Sequence, residues 1–230
     1  MRILLVVAPV FATNCCVVVA GTTGRDADCV VVDAGAGTAP EVERLVTERG
    51  LTPRAVLATH GHVDHTWDAA ALCARYDVPL RLHSADAYRL TDPFGTLGVD
   101  GSDPGVSGAL AQALAGTGRQ ADDYRVPAAV EPFDGSDVDV VAGGVRLRAL
   151  HAPGHTEGST LFVAPGVVLA GDVLFPGGVG RTDLPGGDPA IMARTLRDVV
   201  GRLDPALDVV PGHGPTTTVG HELATNPYLR

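Results

Sequence analysis

Four short apolar runs in this chain, residues 54–58, 145–150, 167–170 and 207–210, each end within a few residues on a glycine beside a histidine or an aspartate. The first leads into THGHVDHTWD, which carries His60, His62, Asp64 and His65. The second leads into HAPGHTEGS with His155, the third into GD with Asp172, and the fourth into PGHG with His213. Short β-branched runs of this kind read as buried strands, and glycine lets the backbone turn sharply at their ends. One histidine after a strand is ordinarily a surface residue. Five of the chain's eight histidines at equivalent places, with two aspartates, call for a fold that gathers four strand ends at one edge.

The remaining pattern supplies the sheets. Residues 2–8, 15–20 and 29–32 read as strands, and 40–50 as an amphipathic helix stopped by Gly50. Residues 67–76 read as a second helix and 79–83 as a short strand. From 84 to about 132 the periodicity dissolves into glycine, aspartate and proline. So long an insert in a compact domain is usually functional, and it is read here as a candidate lid. Residues 137–141, 145–150, 160–163 and 167–170 are spaced like an antiparallel sheet with glycine turns. A helix over 189–203 and the strand over 207–210 close the pattern. Two strand-rich halves, each with helices, predict an α/β fold of four layers, an αββα sandwich, in a single domain over residues 1–230.

Charge and cysteine usage narrow the partners. A net charge of −10 lacks the basic footprint that nucleic acid requires, and it disfavours an anionic membrane surface. A small-molecule substrate is expected. No stretch approaches the ~20 apolar residues that span a bilayer. The apolar N-terminal run is interrupted by Pro9 and flows into a second β-branched stretch, so it reads as strand and not as a cleaved signal. Cys15, Cys16, Cys29 and Cys73 form no CxxC pair and lie in apolar surroundings, as buried reduced thiols of a cytoplasmic protein do. Cys15 and Cys16 are kept as secondary candidates for lining a site.

Imidazole and carboxylate without thiolate suit zinc, iron or manganese. Seven donors exceed what one tetrahedral ion needs. Divided over two ions with one carboxylate shared, they predict two divalent metal ions, zinc first and iron or manganese as alternatives. Water between such ions ionises near neutral pH and attacks carbonyl or phosphoryl centres.

The HGHVDH run, the PGHTEGS stretch, the LAGD aspartate and the PGHG histidine together resemble the metallo-β-lactamase-fold hydrolases over nearly the whole chain. The resemblance implies that His60, His62 and His155 hold one metal, that Asp64, His65 and His213 hold the second, and that Asp172 bridges them. It also implies the αββα sandwich. LFPGGVGRTDLPGGD, the TNCC run and the tail PGHGPTTTVGHELATNPYLR resemble the short, single-domain glyoxalase II-like subgroup, which lacks the extra helical domain of full-length hydroxyacylglutathione hydrolases. The implied activity is metal-dependent hydrolysis of a thioester of a low-molecular-weight thiol, S-lactoyl-type, by a metal-bound hydroxide that Asp64 orients. Persulfide dioxygenases share HxHxDH and GRTD but use one iron, and they form the alternative reading. A non-catalytic metal-bound scaffold is a third.

Outside the seven donors, Arg181 is a candidate for receiving a substrate carboxylate, against a salt bridge to Asp183. Thr156 and Ser159 are expected to brace the His155 loop, and Asp33 to serve a turn or to support a donor. His83, His151 and His221 are read as structural, and Trp67 and Tyr76 as core.

Overall fold

Strands that are apolar on both faces need cover on both, and the chain meets that need with two sheets packed face to face and helices outside. The computed structural model describes residues 1–21, 26–98, 108 and 112–230. The first sheet runs β1 (Arg2–Val7), β2 (Asn14–Val19), β3 (Ala27–Val32), β4 (Leu51–Leu57) and β5 (Leu80–Arg81), neighbours in space as in sequence. The second contains β6 (Asp137–Ala142), β7 (Val145–His151), β8 (Thr160–Ala164), β9 (Val167–Gly171), β12 (Asp208–Pro211) and β13 (Thr217–Thr218), in the order β13-β12-β9-β8-β7-β6. A small hairpin, β10 (Leu174–Phe175) with β11 (Gly178–Val179), stands apart.

The period-2 alternation of strand side chains builds the layers. Cys15, Val17 and Val19 of β2 pack with Val42 and Val46 of helix α1 (Ala39–Arg49). Cys16 and Val18 point the other way, onto Leu147, Ala149 and Phe162 of the second sheet. That sheet alternates likewise, for Val168 and Ala170 turn outward to Met192 and Leu196. This is the four-layered αββα sandwich that the sequence predicts. Phe162 is fully buried between the sheets, its ring 6.2 Å from that of Phe133. Phe162→Ala is expected to destabilise the chain by about 3–5 kcal/mol, read as a lower denaturation midpoint at unchanged m-value.

Strand direction places the site. β3 and β4 run parallel, as do β9 and β12, and parallel neighbours end at the same edge. Asp33 therefore lies beside Thr59 and the histidine cluster, and Asp172 beside the His213 turn. Two successive antiparallel steps, β7 to β8 to β9, return the His155 loop to that edge as well.

Several expectations need correction. The helix expected over 67–76 begins only at Ala69 (α3, Ala69–Tyr76), and a separate one-turn helix, α2 (Val63–Thr66), precedes it with Trp67 and Asp68 between them. Asp68 is drawn out of helical duty because its carboxylate accepts from the N–H groups of Gly37 and Ala39, at 2.9 and 2.8 Å, and caps α1. The strand expected over 79–83 pairs with β4 only at Leu80–Arg81, and isolated bridges join Leu80 to Val130 and His83 to Phe133. The helix expected over 189–203 is α4 (Pro189–Asp198) followed by a 3₁₀ turn, Val200–Arg202. The two-residue strands and helix α5 (Val219–Thr225) carry too little periodicity to read in advance. Cys15 and Cys16 line no site, since both are core residues of β2, and burial pushes both thiols up.

The segment read as a lid is anchored where it is described. Asp86, Arg89 and Leu90 of the 3₁₀ helix Ser84–Leu90 are buried. Leu97, Leu114 and Tyr124 pack with Val63 and Trp67 in a separate apolar cluster. Residues 99–107 and 109–111 lie outside the described residues. No helix among the described residues is long and apolar enough to cross a membrane.

Candidate metal centre

All seven predicted donors converge at the shared edge. His60 and His62 lie in the turn after β4, Asp64 and His65 on α2, His155 between β7 and β8, and Asp172 and His213 directly after β9 and β12. Their donor atoms fall into overlapping groups, each within 4.8 Å: His60, His62 and His155; Asp64, His65 and His213; and His60, His65 and Asp172.

In the first group Nδ1 of His62 lies 3.1 Å from Nε2 of His60 and 3.0 Å from Nε2 of His155. Their rings stand nearly perpendicular, at 82°, 81° and 88°, so nitrogens meet edge to edge and the rings do not stack. In the second, Nε2 of His213 lies 3.2 Å from Nε2 of His65 and 3.3 Å from Oδ2 of Asp64. Asp172 reaches both groups. Its Oδ1 is 3.4 Å from Nε2 of His65, and its Oδ2 is 3.7 Å from Nε2 of His155 and 3.6 Å from Nε2 of His213.

These distances suit cations. Four ligands at ~2.05 Å around a tetrahedral ion stand ~3.3 Å apart. One ring nitrogen facing two others has at most a single proton to share, so hydrogen bonding alone cannot satisfy the trio. Oδ1 of Asp172 is buried and accepts no hydrogen bond, which a metal would remedy. The donor set therefore fits two divalent ions.

Supporting contacts face the distal ring nitrogens of His155, His213, His60 and His65, as ligating histidines require, while Nε2 of His62 is buried without a hydrogen-bond partner among the described residues. Nδ1 of His155 bonds the carbonyl of Arg181 at 2.7 Å, Nδ1 of His213 that of Phe11 at 2.9 Å, and Nδ1 of His60 the hydroxyl of Thr59 at 3.1 Å. Nδ1 of His65 lies 3.0 Å from Oδ2 of Asp33, whose carboxylate also accepts from the N–H and hydroxyl of Thr59, both at 2.8 Å. Asn14 steadies the His213 turn by donating to the carbonyls of Pro211 and Gly214, each at 2.9 Å.

The electrostatics follow from this crowding. Burial, reinforced by neighbouring imidazoles, holds His60 far below its usual range, and burial with His155 pushes His62 down to about 3. Burial opposes the charge on Asp64, yet His65 and His213 outweigh it and lower the carboxyl to about 2. Burial also opposes charge on His213, but hydrogen bonds to Asp172 and Asp64 raise it to about 9. His60 and His62 are thus held neutral in the first group, and carboxylates dominate the second.

Other singled-out residues fall into place. Both nitrogens of Arg181 that face Asp183 bond it, at 2.7 and 2.8 Å, on the surface. Thr156 and Ser159 brace the His155 loop through a hydroxyl pair at 2.8 Å. His83 and His151 stack 4.0 Å apart outside the donor groups, and His221 is exposed. The reading of the sequence missed Asp86, Asn14 and the Phe11 carbonyl. Asn14 lies in the TNCC run, but no local pattern gives its partners or those of Asp86 and the Phe11 carbonyl, because each acts across a long sequence separation.

A fold of this kind with histidines and aspartates at the strand mouths defines a class of metal-dependent hydrolases. The metallo-beta-lactamase superfamily profile matches residues 8–220, and the chain belongs to that superfamily. It is 32% identical over 206 residues to the probable metallo-hydrolase YqgX of Bacillus subtilis, covering 89% of this chain and 88% of the relative. It is 28% identical over 231 residues to the hydroxyacylglutathione hydrolase GloC of Haemophilus influenzae, covering 100% and 98%. Among solved structures, TTHA1623 in a di-iron-bound form superposes with a TM-score of 0.75 at 31% identity, over 98% of this chain and 100% of that one.

Proposed function

We propose that this chain hydrolyses thioesters of a low-molecular-weight thiol, S-lactoyl-type conjugates first among them, with two divalent ions, zinc before iron or manganese. The observation that carries the two-ion reading is the division of seven donors into two groups with Asp172 reaching both. The relation to GloC along the full length of the chain supports the thioester. His60, His62 and His155 would hold one ion, Asp64, His65 and His213 the other, with Asp172 between them. When bound, such ions supply Lewis acidity and make water acidic enough to react near neutral pH.

The chain's own residues do the rest. Asp64, ionised throughout the neutral range, accepts a hydrogen bond from the attacking water and aims it at the thioester carbonyl. The oxygen of water joins the carbonyl carbon, the carbon–sulfur bond breaks, and a carboxylic acid and a thiol result. A thiolate leaves without strong acid assistance. Arg181 lines a groove of about 440 Å³ beside the site with Met192 and Tyr228, and a substrate carboxylate received there would compete with Asp183. The substrate is small and not a nucleic acid, and the cytoplasm suits four free, buried cysteines.

Metal content per chain, measured by mass spectrometry on untagged protein purified without chelators, tests this reading. Close to two ions with turnover of S-lactoyl thioesters is the expected result. One iron with oxygen uptake on a persulfide would overturn it in favour of a dioxygenase.

A further inference from the structure

Asp86 belongs to neither donor group, yet its buried carboxylate is committed to the loops that carry one of them. Oδ2 accepts from the N–H of Gly61, which lies between His60 and His62, at 2.7 Å, and from the hydroxyl of Thr156, next to His155, at 2.7 Å. Oδ1 accepts from the N–H of Gly158 at 2.7 Å and from Nε of Arg89 at 3.2 Å. Arg89, also fully buried, extends the tie to Glu157 in the same loop and to the carbonyl of Pro185 at 3.0 Å. The approach is close enough that a Cβ on Gly158 would lie 2.6 Å from Cγ of Asp86. Among the described residues, none of these four bonds reaches α2, Asp172 or the His213 turn.

We propose that Asp86 is a positioning residue for the three-histidine group alone. Its two oxygens hold the His60–His62 turn and the His155 loop, 93 residues apart at His62 and His155, in register across the gap between the sheets. The inference rests on the metal reading given above. Four donors on one carboxylate leave no spare acceptor, so loss of either oxygen frees one loop from the other. A donor site tolerates only ~0.5 Å of such drift.

Asp86→Asn keeps the shape but turns one oxygen into an NH₂ group. Either the Gly61 and Thr156 donors or the Gly158 and Arg89 donors then face another donor. The test is zinc affinity by chelator competition in two backgrounds, His213→Ala, which spares the three-histidine group, and His62→Ala, which spares the other. Asp86→Asn should weaken zinc about 10–100-fold in the first and less than about twofold in the second. Equal weakening in both would reduce Asp86 to a general structural role and overturn the proposal, as would no weakening in either. A wild-type chain that takes up no zinc, iron or manganese would overturn the metal reading along with it. Should Asp86→Asn fail to fold, Thr156→Val removes one donor and Thr156→Ser keeps it. The valine variant should lose affinity only in the His213→Ala background and the serine variant should retain it, and any other pattern overturns the proposal.

Discussion

Asp64→Ala is expected to lower turnover by about 10²–10⁴-fold while the fold survives. Asp64 sits on the one-turn helix α2 with its side chain 19% exposed, so no core packing depends on it. Its Oδ2 faces Nε2 of His213 at 3.3 Å and Nε2 of His65 at 3.8 Å. The alanine variant keeps both imidazoles and Asp172 but loses the carboxylate that orients water and completes the second donor group. Turnover of an S-lactoyl thioester, read beside a thermal melt, separates lost chemistry from lost structure. Wild-type turnover in this variant would sink the hydrolase and the dioxygenase alike.

Gly212→Ala should be nearly as damaging, by a different route. A Cβ at this position would overlap Oδ1 of Asp172 and lie 2.7 Å from Cε1 of His65. The backbone cannot back away, because the Gly212 N–H donates to the Gly171 carbonyl at 2.7 Å and its carbonyl accepts from the Asn14 N–H at 2.7 Å. Asp172 and His65 must move instead, and they meet where the two donor groups join. Overpacking of this kind costs about 1–3 kcal/mol, which for a chain of this length lowers the melting temperature by several degrees. Metal content should fall from two ions toward one. Two tightly held ions and an unchanged melt would show that Asp172 has freedom to spare.

The two substitutions probe what differs in kind between the local and the long-range parts of the site. His60, His62, Asp64 and His65 announce themselves within six residues, and each remaining donor stands beside a glycine at the end of an apolar run. Those signals are short-range chemistry: imidazole and carboxylate attract cations, and a strand that must stop sharply uses glycine. The alternation of Cys15, Val17 and Val19 against Cys16 and Val18 was likewise readable, though not which layer each set would face. Helix boundaries were less so, because Asp68 leaves the helical pattern to cap α1 some 30 residues earlier in the chain, at Gly37 and Ala39.

By itself, then, the sequence determined the donor chemistry, the strands that deliver it and the sandwich that such strands require. Tertiary structure alone decided which backbone carbonyls orient the donor rings, and that Asp86 ties together two of the loops. The physical reason is separation. Asn14 meets Pro211 and Gly214 across 197 and 200 residues, and Asp86 meets Gly158 across 72. Hydrogen bonds at that range leave no periodicity or spacing behind, so a buried aspartate in an irregular stretch looks like any solvated one until the chain has folded around it.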